Sequence, residues 1–186
     1  MTGWSGSALA LWLVLSLASV WVWVPTGRHP RPVLARTAPL ILVVVAEVLI
    51  TGAVALFAGL GRPTLVPWSW LAVAVGGLAA VITGGAVAFS VLALADTTSR
   101  TGTARVQRTV LRGGAWIGGL ERLAMFATLV SGWPEGMVAI VAVKAFARYP
   151  ELKTGQATGA IERFIIGTFT SLGWAVACAG VVMVLT

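Results

Sequence analysis

The sequence predicts an all-α fold: a polytopic transmembrane helical bundle of six spans with both termini outside. Three observations predict it. The 186 residues are 58% hydrophobic and only 10% charged, where a soluble domain carries about 25% charged residues. Apolar runs long enough to cross a bilayer, at about 1.5 Å of rise per residue, recur along the whole chain. Ten of the thirteen lysines and arginines gather at alternate run boundaries, as orientation in a bilayer requires.

The first run covers 7–24. No basic residue precedes it, Arg28 is its first flanking charge, and no small-residue cleavage pattern follows. It therefore reads as an anchor with its amino terminus outside rather than as a secretory signal. The second run, 38–60, carries Glu47, and the third, 68–95, ends on Asp96. The fourth covers 113–132. The fifth, 134–149, is the shortest, because its uncharged part stops at Val143. Lys144 and Arg148 extend it by snorkelling toward the interface. Pro134 suits the first turn of this helix, and Pro150 is expected just beyond its end. The sixth run covers 159–185. No polar linker divides the chain, so residues 1–186 read as a single domain.

With the amino terminus outside, Arg28, Arg31 and Arg36 fall on the inner side, as do Arg100, Arg105, Arg108 and Arg112, and then Lys144, Arg148 and Lys153. Arg62 alone faces outward, while Arg122 and Arg163 lie within spans. A re-entrant hairpin at 134–149 would move Lys144, Arg148 and Lys153 outside, against this bias. Trp4, Trp68, Trp70 and Trp133 are expected at the outer interface, and Trp21, Trp23 and Trp116 at the inner one, where amphipathic rings settle. The outer loops leave no room for an extracellular domain. The inner loop 96–112 reads as a solvated, orientation-setting segment without the spacing of a Walker-type loop.

The charges inside the spans repeat. Gly118-Gly119-Leu120-Glu121-Arg122 recurs forty-one residues later as Gly159-Ala160-Ile161-Glu162-Arg163, with Arg112 matching Lys153 and Trp133 matching Trp174. Ionisable groups at mid-membrane cost about 2.5–3.5 kcal/mol each on insertion scales, so two such pairs need a reason. Spans 4 and 6 run the same way, which makes this a parallel repeat with both Glu-Arg pairs expected at one depth. Adjacent residues on a helix do not face each other, so the expected pairing is across helices: Glu121 with Arg163 and Glu162 with Arg122. Lys144 and Arg148, one turn apart on span 5, reach the same region, and Glu47 is the remaining buried acid. Together Glu47, Glu121, Arg122, Lys144, Arg148, Glu162 and Arg163 are the candidate ligand-binding set.

Glycines mark the expected helix contacts. Gly76, Gly77, Gly84 and Gly85 lie on span 3, Gly114 and Gly118 on span 4, and Gly167 on span 6. Small residues at this spacing let backbones approach closely, and one such face is a candidate homo-oligomer contact. Cys178, the single cysteine, reads as core packing.

Several chemistries are excluded. The single histidine, His29, lies in a Pro/Arg-rich loop, which leaves no histidine-built metal or haem site, no bound cofactor and no catalytic triad. The basic residues form no stripe for nucleic acid.

Trp116-Ile117-Gly118-Gly119-Leu120-Glu121-Arg122, Gly132, Glu135-Gly136, Val143-Lys144-Ala145-Phe146, Arg148, Glu151-Leu152, Glu162, Ile165-Ile166-Gly167-Thr168 and Ser171 form a pattern. Over residues 113–185 it resembles an uncharacterised family of bacterial integral membrane proteins, a domain of unknown function. The resemblance implies a multi-pass protein of the bacterial cytoplasmic membrane and brings no reaction with it. The first three spans show no such likeness.

Two functions follow as expectations. In the first, the Glu/Arg/Lys set binds or translocates a small anionic ligand, ion or lipid head group near the cytoplasmic side. In the second, the chain is a non-catalytic subunit or scaffold whose charges form a structural network and whose basic inner loops dock a cytoplasmic partner. A membrane-embedded enzyme acting on a lipid ranks third.

Overall fold

The computed structural model describes residues 10, 12–14, 16, 42, 45–46, 48–53, 56, 69–98, 112–153 and 160–186. Four complete helices stand among them: α1 (Ser69–Thr98), α2 (Arg112–Val130), α3 (Gly136–Lys153) and α4 (Ala160–Leu185). The described residues of the two earlier apolar runs are helical as well. Among them Trp12 is buried in the same core as α1 and α4, with Leu13 and Ile50 packed against it. All described regular structure is helical, as the apolar runs predict.

Small residues set the packing. On α1, Gly76 lies against Val182 of α4 and Phe126 of α2, and Gly84 lies against Arg122 and Trp174. Farther along, Leu92 of α1 meets Gly167 of α4. Residue numbers rise on α1 while they fall on both partners, so α1 is antiparallel to α2 and to α4. Consequently α2 and α4 run in the same direction. The core between the three is Ala79, Ala80, Val87, Met125, Phe126, Leu172, Ala175, Cys178 and Val182. Cys178 is fully buried there. Not every expected glycine contact forms: a side chain at Gly114 would meet open space.

The α2–α3 connection is a tight reversal. Gly132 has φ +74°, the left-handed region that glycine adopts without strain. The Trp133 amide donates to the Thr128 carbonyl at 2.8 Å and the Gly132 amide to Leu129 at 3.0 Å, the pair of bonds that closes a Schellman motif. The amides of Gly136, Met137 and Val138 then donate to Trp133, Pro134 and Glu135. Pro134 therefore lies in a 3₁₀-type lead-in, two residues ahead of α3.

At its other end α3 continues through Pro150 to Lys153, where the sequence places its stop at Tyr149. Proline removes one amide donor and leaves the Phe146 carbonyl without its helical partner. That cost is tolerable near a helix terminus where Phe146 and Pro150 are both exposed.

Two described segments are long and apolar enough to cross a membrane: Ser69–Ala95, with hydropathy 2.2, and Ile161–Leu185, with 1.8. Inside the molecule only 44% and 50% of these windows are buried. Of the remainder, Trp70, Leu78 and Phe89 on the first and Ile165, Phe169 and Met183 on the second are exposed apolar side chains.

Candidate functional site

Arg122 is the most buried charge of the described set, at 6% exposure. Position explains this: it projects from the middle of α2 into the groove where α1 carries Gly84. A Cβ at residue 84 would sit 2.6 Å from Arg122 Cδ and 3.1 Å from Trp174 Cδ1, so only glycine leaves room for both side chains. The guanidinium then reaches the backbone of α1. Nη2 donates to the Val81 carbonyl at 2.9 Å and Nε donates to the same oxygen at 3.2 Å. Nη1 donates to Ser171 Oγ of α4 at 3.1 Å.

One layer of hydrogen bonds thus joins three helices. Beside it, Trp174 Nε1 donates to Thr83 Oγ1 at 2.6 Å, and that hydroxyl donates to the Ala79 carbonyl at 2.7 Å. Val81, Thr83, Ser171 and Trp174 are absent from the sequence-derived set. A threonine beside two glycines at mid-span, and a serine three residues before a tryptophan, are the signals that point to them. A backbone acceptor such as the Val81 carbonyl leaves no mark in sequence.

Glu121, the preceding residue, turns about 100° away on the helix and faces α3. There it forms an ion pair with Lys144, both side chains being less than one-fifth exposed. The Gly136 end of α3 is fixed against α2 by contact with Thr128. Among the described residues, α2 is the helix against which α3 chiefly packs.

The expected cross-pairs are therefore replaced. Lys144 takes Glu121, while Val81 and Ser171 take Arg122. Register is the cause. The repeat aligns Arg122 with Arg163, but packing sets Arg122 against Ser171, eight residues farther along α4, a displacement of about 12 Å. Glu162 and Arg163 consequently sit near the start of α4 and are exposed, as is Arg148 on α3. Trp133 and Trp174 differ in the same way: the first is exposed in the turn and the second is buried. The set does not converge on one pocket. It divides into a buried junction at Arg122, an ion pair at Glu121–Lys144, and exposed charges at one end of the bundle. Glu47 lies outside the described residues, as does loop 99–111.

Among the described residues no cluster of three or more His, Cys, Asp or Glu side chains is placed to hold a metal ion. No protein-family model matches the chain, no curated protein matches its sequence, and no solved structure matches it.

Proposed function

We propose that this chain is a six-span protein of a bacterial cytoplasmic membrane, with both termini outside, acting as a non-catalytic subunit or scaffold. Its intramembrane charges are taken up within its own helix packing, and its basic inner loops dock a cytoplasmic partner. One observation carries the reading: Arg122, the most buried cation among the described residues, spends its guanidinium on a backbone carbonyl of α1 and a hydroxyl of α4. A cation kept for a ligand is expected to face an accessible cavity instead.

The membrane placement draws on the outward apolar surface. Val138, Val143 and Phe146 on α3 and Phe169 on α4 are each at least 70% exposed, an outward apolar surface of the kind that membrane or partner contact covers. The bacterial assignment rests on the family resemblance alone.

A second reading keeps one observation. Glu121, Arg122 and Lys144 sum to one positive charge within a low-dielectric region, which favours a small anion or lipid phosphate close by. Charge exchange separates the two. Under the structural reading, Glu121→Lys and Lys144→Glu each lower the unfolding temperature in detergent, and the double exchange recovers most of the loss. An exchanged protein as unstable as the worse single variant would remove the structural reading of this pair.

A further inference from the structure

The charges that the Arg122 junction leaves aside share one end of the bundle. Arg148 and Lys153 of α3 and Arg163 of α4 are exposed there. Exposed rings and aliphatic side chains stand among them: Trp116 at 78%, Phe146 at 82%, and Tyr149, Ile161 and Ile165 near one-half. The Glu121–Lys144 and Arg122–Ser171 contacts put the four carrier residues at one level, so depth follows from counting along each helix. Phe146, Arg148 and Tyr149 lie about 3–8 Å toward this end, Trp116 about 9 Å, and Arg163 and Lys153 about 12–14 Å. The layer is therefore on the order of 10 Å thick, close to that of a lipid interface. At the opposite end stand Trp70, Trp133 and Glu135, and among the described residues no lysine or arginine.

We propose that this layer binds anionic phospholipid head groups, with Arg148, Lys153 and Arg163 holding the phosphate. Trp116 and Tyr149 would lie at the boundary between head groups and acyl chains. The inference rests on the membrane reading above and names the chemistry its basic surface takes. Charge complementarity selects an anion, and the planar guanidinium fork matches phosphate oxygens. Composition selects a lipid over an acidic protein: Phe146 and Ile165, exposed on the membrane side of Lys153 and Arg163, need acyl chains to cover them. Lys153 lies 5.9 Å from the centroid of the Tyr149 ring, which keeps ring and cation together. Glu162, exposed in the first turn of α4, shares the layer and opposes an anion.

The test is a lipid titration of the purified full chain by native mass spectrometry, phosphatidylglycerol against phosphatidylcholine. The expected result is tighter binding of phosphatidylglycerol. The double variant Arg148→Gln/Arg163→Gln should weaken it roughly thirtyfold, from the usual worth of two interfacial cations. Lys153→Gln should weaken it less, and Glu162→Gln should strengthen it. Equal binding of the two lipids, or a preference unchanged in the double variant, would overturn the inference. Loss of the preference in excess inorganic phosphate would overturn it in favour of a free anion. Unfolding temperature is read on each variant. A failed lipid preference with Glu121/Lys144 exchange still restoring stability sinks this inference alone, whereas failure of the exchange with the lipid preference intact removes the structural reading of that pair and leaves this inference standing.

Discussion

Glu121 and Arg122 are neighbours in sequence, yet they belong to two differently built regions. Arg122 is buried among α1, α2 and α4, and it is satisfied by a carbonyl and a hydroxyl. Glu121 faces α3 in a partly exposed contact and is satisfied by the opposite charge of Lys144. The first region is a three-helix junction that needs shape: a glycine gap at residue 84, a threonine and a tryptophan in one layer. The second is a hairpin that needs a turn and one ion pair. Shape is intolerant of added volume, while an ion pair between two long, partly exposed side chains can readjust by small changes in either one. The junction is therefore expected to carry the larger share of the bundle's stability.

Substitutions at the two glycines sharpen this contrast. Gly84→Val has the larger expected effect. Its side chain meets Arg122 Cδ and Trp174 within van der Waals distance, and overpacking of this kind costs about 1–3 kcal/mol. Thermal unfolding in detergent reads it, and a variant as stable as the parent would mean that the junction is loosely packed. Gly132→Ala has the smaller effect. Its φ of +74° strains any residue with a Cβ, at about 1 kcal/mol. A loss at Gly132 equal to that at Gly84 would erase the distinction between the regions.

Much of this arrangement was legible in the sequence, and the failure has a definite cause. Apolar run lengths located α1, α2 and α4 to within a few residues, and the glycines at 76, 84 and 167 do mark helix contacts. The Glu-Arg repeat also found the two residues that organise the site. What it misjudged was register. A sequence repeat fixes which residues correspond, but the axial offset between two helices is set by where bulk meets gaps. Here Trp174 and Val182 fit beside Gly84 and Gly76, which draws α4 eight residues past the aligned position. The Glu121–Lys144 pair was similarly hidden. Its geometry depends on the hairpin turning within Ser131–Glu135, where the Schellman bonds fix the angle at which α3 returns.

The central claim is that the buried cation serves the protein's own packing, and Arg122→Met against Arg122→Ala tests it most directly. Methionine keeps most of the volume and removes the charge; alanine removes both. Replacing a buried charge by an apolar side chain of similar volume is often close to neutral, whereas truncation to alanine leaves a cavity that costs about 2–5 kcal/mol. Val81 can keep its place in the helix without the guanidinium, because its carbonyl still faces the Gly85 amide one turn on. The account predicts an unfolding temperature near that of the parent for Arg122→Met and a large fall for Arg122→Ala. An equal fall in both would contradict it, because the positive charge itself, rather than the space it fills, would then hold the bundle together.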